Sequence, residues 1–137
     1  MPNQDLQNVL SMIEKMESDL RKVSRINPEE LRDWDASAPE KYQMYLARQI
    51  LEKLQDAYKT LEYMERPVVA EGQLELCENG RYSLVKRELA TGYPLEYWDV
   101  ECGHFIPSRI EYGQNGYYIV ALGQDEPIEG LRVRIKL

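Results

Sequence analysis

The chain has few of the residue types that form cross-links or metal sites. Its 137 residues include two cysteines, Cys77 and Cys102, and one histidine, His104. Two cysteines do not make the disulfide framework of a small secreted domain. A structural zinc site needs four ligands, usually in paired spacing, and the cysteines and the histidine supply only three. The sequence therefore predicts free thiols, no bound metal and no cofactor.

Long apolar runs and an excess of positive charge are also missing. No apolar stretch approaches the length of a membrane span, and the N-terminus lacks the basic and apolar regions of a secretory leader. The formal net charge is -7, so the average field repels phosphates and anionic lipids. Neither a phosphate-binding loop nor a hydrolase motif occurs. We therefore expect a cytoplasmic protein that is not an enzyme, and both nucleic acid and membrane are disfavoured as partners.

Enough apolar material is present for a packed fold. Hydrophobic residues make up 43% of the chain and charged residues 30%, which argues against intrinsic disorder. The length suits one domain or two small ones. The apolar periodicity predicts a helical region at residues 1–66 and a small β domain at residues 72–137. The connector between them is too short to be a free linker, so we expect the halves to dock.

The helical region is predicted to contain two long helices and a short one between them. The first long helix covers about residues 3–24, on which the apolar positions form one narrow stripe. Helix-start signals follow at Asn27 and Ser37. They predict a short helix to about Trp34 and a second long helix that ends near Arg66.

The second long helix has more apolar surface than one neighbouring helix can cover. Beside its heptad seam lies a second apolar stripe, formed by Leu46, Ile50, Ala57 and Met64. Soluble monomers seldom leave such a patch in water. We therefore expect the helical half to form a homodimer, with docking on the β domain as the alternative.

After Pro67 the apolar pattern changes from helical to alternating. Asn79-Gly80 between two alternating runs predicts a hairpin, and further strands are expected near residues 95–100, 105–112 and 117–122. An α+β fold follows, with five or six short strands in a small antiparallel β-barrel or curled sheet of SH3-like form. Closure into a barrel is favoured because it removes exposed strand edges.

The final strand has the clearest alternation. Apolar and basic residues alternate from residue 131 to residue 136. Alternate residues of a strand point to opposite faces. We expect Leu131, Val133 and Ile135 in the core, and Arg132 and Arg134 in solvent.

Four segments of the β domain resemble a known family: Gly80-Arg81-Tyr82 and residues 105–111, 117–120 and 130–135. In this order they resemble a short uncharacterised domain of unknown function from Gram-positive bacteria, often found on mobile elements. The resemblance covers about residues 72–137 and leaves the helices unexplained. This chain has Phe105 where the family usually has Trp, and Ser108 where it usually has Thr. The resemblance implies a fold unit with no assigned chemistry.

One candidate recognition patch combines an ion pair with nearby aromatic residues. Arg109 and Glu111 lie two positions apart on one predicted strand, so their side chains share a face. With Arg81, Tyr112 and Tyr117 they could form a binding surface. The simpler interpretation is a solvated strand face whose ion pair contributes little.

A second candidate surface is the basic stripe of the last strand, formed by Arg132, Arg134 and Lys136. Within a Debye length of about 8 Å, the positive charge of a local stripe outweighs the negative average field of the whole chain. The rings of neighbouring tyrosines could stack on the bases of single-stranded nucleic acid. The simpler interpretation is that these cations keep an exposed edge strand from pairing with the strands of other molecules.

The aromatic residues of the β domain, Trp98 among them, exceed what a small barrel interior can hold. Exposed Trp and Tyr side chains are the usual anchors of binding sites. We therefore expect a non-catalytic protein-interaction or adaptor protein whose partner is another protein or a second copy of the chain. The alternative is a nucleic-acid-associated accessory factor of a mobile element that uses the face of Arg132, Arg134 and Lys136.

Overall fold

The computed structural model describes residues 3–31 and 36–137 of a chain that divides into two compact units, Met1–Glu65 and Arg66–Leu137. The first unit is helical and the second is made of antiparallel strands, which confirms the α+β class. Within the described ranges, no helix combines the length and the apolar character needed to cross a membrane.

The helical unit contains two long helices, α1 at Gln4–Ser24 and α2 at Ala38–Glu65. A short 3-10 helix at Pro28–Glu30 lies between them in the chain. The two long helices therefore have the predicted bounds to within one or two residues. The predicted end of the short helix, Trp34, lies outside the described residues.

Side-chain caps begin the helices at the predicted positions. The Asn3 carboxamide oxygen accepts a hydrogen bond from the Leu6 backbone N–H at 3.0 Å. The Ser37 hydroxyl accepts one from the Glu40 backbone N–H at 3.4 Å and donates to the Glu40 carboxylate at 2.9 Å. Asn27 caps the 3-10 helix with its side chain in a similar way. These bonds satisfy backbone donors that the first helical turn leaves without a partner.

The two long helices pack as a hairpin that buries little. In α1 no residue is fully buried, and in α2 only Leu51 and Leu61 are. The Gln55 amide group donates to the Val23 and Ile26 carbonyl oxygens at 3.2 and 2.6 Å, and so ties α2 to the end of α1. Two amphipathic helices alone leave much of their apolar surface uncovered.

The β unit contains eight strands in two antiparallel sheets. In chain order they are β1 Val68–Gln73, β2 Glu75–Leu76, β3 Tyr82–Leu84, β4 Arg87–Glu88, β5 Pro94–Asp99, β6 His104–Gly113, β7 Gly116–Ile119 and β8 Arg132–Lys136. The larger sheet has the order β1-β8-β5-β6-β7, and the smaller has the order β2-β3-β4. The predicted hairpin at Asn79-Gly80 is confirmed. A second hairpin joins β6 to β7 at residues 113–116.

The larger sheet is open, so the expectation of a closed, SH3-like barrel is not confirmed. Its edge strands, β1 and β7, do not pair with each other in the described chain. The core is covered in another way. Buried residues of the small sheet region, including Leu84 and Leu89, join Ile110 and Val133 of the large sheet in one cluster. Two layers around one core bury apolar surface without closing the hydrogen-bonded ring.

The final strand has the predicted orientation. Val133 and Ile135 are fully buried, and Leu131 is only partly buried. Arg132 is exposed and Arg134 is half-buried. Its neighbour β1 was not predicted, because residues 67–72 were assigned to the connector. In the structure this segment pairs with β8, with an irregularity between Val68 and Ala70.

The turn between β3 and β4 has an unusual backbone conformation. Val85 and Lys86 have φ angles of +48° and +67°. Hairpins with two such residues usually carry Asn-Gly, because a β-branched residue is strained at positive φ. The Val85 side chain is 67% exposed, so little burial compensates for this strain.

Candidate functional site

The candidate site lies on the face of the large sheet that points away from the core of the β unit. The burial of Val133 and Ile135 turns Arg132 and Arg134 to this face of β8. On the adjacent strands, Trp98 of β5 stands directly opposite Phe105 of β6. Three neighbouring strands therefore bring their side chains together here.

Two rings and two guanidinium groups pack closely on this face. The Trp98 and Phe105 ring centroids are 5.2 Å apart, with an angle of 76° between the planes. The Arg132 guanidinium lies 5.1 Å from each of these centroids, and that of Arg134 lies 4.0 Å from the Phe105 centroid. These edge-to-face and cation–π geometries are favourable. We call these four residues the arginine–aromatic patch.

Carboxylates accompany both arginines of the patch. The Arg134 Nε donates to Glu96 at 2.5 Å, and the Glu96 residue is only 4% exposed. The Arg132 Nη2 donates to Glu71 of β1 at 3.4 Å, where both side chains are about half exposed. The positive charges of this face are thus largely matched. The third cation of the stripe, Lys136, is half-buried and also has an interaction partner.

This matching weakens the interpretation of the stripe as a phosphate-binding track. Nucleic-acid affinity comes mainly from cations that neutralise phosphates and release counterions. A guanidinium that already pairs with a buried carboxylate has less charge to offer a phosphate. The face is closer in composition to the centre of a protein interface, where Trp, Tyr and Arg are enriched.

The candidate recognition patch around Arg109 and Glu111 is a local ion-pair network. The Arg109 Nε donates to one Glu111 oxygen at 2.8 Å, and the Thr91 hydroxyl donates to the other at 2.9 Å. These hydrogen bonds, Arg109 first, hold the pKa of Glu111 below its ordinary value. The Thr91 oxygen also accepts from the Tyr112 backbone N–H at 3.0 Å. The network connects the turn before β5 to the strand β6. Its role is therefore to stabilise the fold.

The other candidate residues lie apart from the arginine–aromatic patch. The Tyr112 and Tyr117 rings pack edge to face, 5.0 Å apart, where β6 turns into β7. Arg81 lies beside the small sheet, where its guanidinium is 3.8 Å from the Glu88 carboxylate. The arginine–aromatic patch therefore contains three of the eight candidates from the sequence, Trp98, Arg132 and Arg134, whereas Arg109 pairs with Glu111 and Tyr112 with Tyr117 outside it.

Sequence reasoning missed three members of this neighbourhood as site residues: Phe105, Glu96 and Glu71. A signal for Glu96 exists, because it lies two positions before Trp98 and therefore shares its face. No local signal identifies Glu71, whose strand was not predicted.

The two cysteines and the histidine lie in the β unit. Cys77 is half-buried and Cys102 is exposed, and both are free thiols. The His104 Nδ1 lies 2.7 Å from the carbonyl oxygen of Phe105. Within residues 3–31 and 36–137, no group of three or more His, Cys, Asp or Glu side chains could hold a metal ion.

The fold and the site together describe an α+β chain in which a helical hairpin precedes a two-sheet β unit with an arginine–aromatic patch. Residues 72–135 match the family model of a domain of unknown function, DUF5348. This match confirms the resemblance to an uncharacterised domain, and it leaves both long helices and most of β1 outside. No curated protein and no solved structure matches the chain.

Proposed function

We propose that the β unit is a non-catalytic module that binds another protein through the arginine–aromatic patch. The main support for this proposal is the packing of Trp98 and Phe105 with Arg132 across three adjacent strands. Rings and guanidinium groups held in place by their neighbours lose little conformational entropy when they bind. Such side chains dominate the binding energy of protein interfaces.

The charge distribution supports a protein partner over a nucleic acid. Glu96 and Glu71 lie beside the two arginines, and the whole chain has a net charge of -7. A partner surface with an apolar centre and a few polar groups fits a half-exposed ring pair beside an exposed guanidinium. A polyphosphate chain would meet carboxylates at the same place.

A photo-crosslinking experiment in cells tests this proposal. A benzophenone amino acid replaces Phe105 in one variant and the exposed Gln124 in a control variant. We expect a discrete protein adduct from position 105 that position 124 does not form, with a mass that differs from two copies of the chain. Adding Arg132→Ala to the position-105 variant should remove this adduct, because the guanidinium that packs on the rings is lost.

The same proteins are titrated with single-stranded and duplex oligonucleotides at low and high salt. We expect no binding that depends on Arg132. The proposal fails if position 105 forms no protein adduct. It also fails if Arg132→Ala abolishes an oligonucleotide affinity that falls steeply with salt, since that result would assign the face to phosphate contacts.

A further inference from the structure

A cleft of about 340 Å3 opens in the β unit where the strand β5 ends. One of its walls is the turn after β5, which contributes Asp99 and Glu101. The loop between β7 and β8 forms the other wall and contributes Leu122, Glu126 and Leu131. Ligand pockets of proteins usually have volumes of about 300–1,000 Å3, so this cleft suits a ligand group of side-chain size. It offers that group carboxylates on both walls and apolar side chains on one.

The carboxylates of Asp99, Glu101 and Glu126 give the cleft a concentrated negative charge. No Lys, Arg or His side chain of the described residues lines it. The ion pairs within residues 3–31 and 36–137 use other carboxylates, those of Glu17, Glu71, Glu88, Glu96 and Glu111. A cleft lined by one sign of charge raises the local concentration of ligands of the opposite sign. Its ligand should therefore be a cation.

The hydroxyl group of Tyr97 is a second, independent sign of a ligand. Tyr97 packs in the core of the β unit, lines the cleft and is only 4% exposed. Burial, and after it the nearby acidic groups of Asp99 and Cys102, raise the pKa of this hydroxyl, so it stays neutral. Within the described parts of the chain it has no hydrogen-bond partner. Buried polar groups nearly always have one, and a ligand in the cleft would supply it.

The Asp99 carboxylate has one oxygen left for a ligand. Its Oδ1 accepts hydrogen bonds from the backbone N–H groups of Glu101 and Cys102, at 2.8 and 3.0 Å. These two bonds shape the turn and use both lone pairs of Oδ1, which leaves Oδ2. A guanidinium group prefers both oxygens of one carboxylate, and Asp99 cannot offer both. An ammonium group is a compact charge whose three donors can point to separate oxygens.

We infer that this cleft binds a primary alkylammonium group, which donates to the Tyr97 hydroxyl and Asp99 Oδ2 while its alkyl chain packs on Leu122 and Leu131. Carboxylates beside an apolar surface are complementary to such a chain, which buries its stem and keeps its charge in a polar place. A lysine side chain of another protein and a free polyamine both carry this group. The inference does not rest on the proposed role of the arginine–aromatic patch.

Titration with a matched pair of lysine compounds tests the site. The probes are Nα-acetyl-lysine methylamide and its Nε-acetylated form, which has the same stem without the charge. Backbone amide shifts of the full chain are followed by NMR at constant ionic strength. We expect the charged probe to shift the amides of residues 99–101 and 126, with a Kd in the millimolar range because so small a ligand makes few contacts. Equal binding of the acetylated probe, or no shifts at these residues, overturns the inference.

Two conservative variants assign the binding to the named oxygens. Asp99→Asn keeps an Oδ1 acceptor for the turn and removes the charge, and it should weaken binding of the lysine probe about tenfold because a hydrogen bond between charged groups is lost. Tyr97→Phe keeps the ring and should also weaken binding. The control Glu78→Gln removes the same charge at an exposed position outside the cleft and should bind like the parent. Asp99→Asn and Tyr97→Phe that both keep the parent affinity refute the site.

Two further probes define the ligand. Nα-acetyl-arginine methylamide should bind more weakly than the lysine probe, and tighter binding of the arginine probe contradicts the choice of an ammonium group. Spermidine distinguishes the two sources of that group. If the affinity that Asp99→Asn removes is larger for spermidine than for the lysine probe, the ligand is a free polyamine. If it is equal or smaller, the ligand is a lysine side chain.

Discussion

Replacing Arg134 by methionine tests the partly buried ion pair that this residue of the arginine–aromatic patch forms with Glu96. The guanidinium donates to the Glu96 carboxylate at 2.5 Å and lies over the Phe105 ring. Methionine keeps much of the apolar stem and removes the charge. The buried Glu96 carboxylate then loses the Arg134 guanidinium, while the packing around it changes little.

The expected loss of unfolding free energy is about 3 kcal/mol, because removing one partner of a buried ion pair leaves a charge in a poorly solvated place. Arg132→Met is a matched control on the same strand and the same face. Its partner Glu71 and the arginine itself are about half exposed. Exposed ion pairs and cation–π contacts contribute about 0–1 kcal/mol each, so the control should cost about 1 kcal/mol.

A third variant separates the ion pair from general packing. Glu96→Leu combined with Arg134→Met replaces both charges by apolar groups, and its stability should return to within about 1 kcal/mol of the parent. The assay is urea unfolding followed by Trp98 fluorescence in a Trp34→Phe background, with m-values compared among variants. The reasoning is refuted if Arg134→Met and Arg132→Met cost the same, or if the double variant is no more stable than Arg134→Met.

Three further predictions concern the β unit. Because its hydrogen bond with Arg109 lowers the pKa of Glu111, this carboxylate stabilises the fold above its unfolded-state pKa, and the contribution is lost as the pH falls through its folded-state pKa. Arg109→Gln should raise the titration midpoint of Glu111 measured by NMR, and an unchanged midpoint would contradict the assignment. Val85→Asn should stabilise the protein by about 1 kcal/mol, seen as a higher melting temperature, since Asn tolerates the positive φ better. Ile135→Ala should cost about 2–5 kcal/mol and Leu137→Ala less than about 0.5 kcal/mol in the same assay, and equal costs would disprove the burial difference between them.

Local patterns were sufficient to predict most of the secondary structure. The predicted cap at Ser37 is formed with Glu40, three positions further on, so both partners lie close together in the sequence. The Asn79-Gly80 turn and the alternation around Val133 are equally local. Counting apolar positions around one helix identified the second stripe of α2, and its cover by a second copy or by the β unit stays a prediction.

Pairing between distant strands could not be predicted in the same way. β1 consists of small, charged and apolar residues without regular alternation, and only its pairing with β8 makes it a strand. The expectation of a closed barrel rested on the general cost of exposed edges. The chain instead covers its core with the small sheet, which needs no pairing between β1 and β7.

The candidate site was also predictable only where it depends on local sequence patterns. The sequence by itself determined that Arg132 and Arg134 share one strand face, because strand geometry turns alternate side chains to the same side. Only the tertiary structure decided what they meet: Glu96 is 38 positions from Arg134 along the chain, and Glu71 is 61 positions from Arg132. Sheet order sets these neighbours, and sheet order depends on which strand faces bury their apolar residues together in one core.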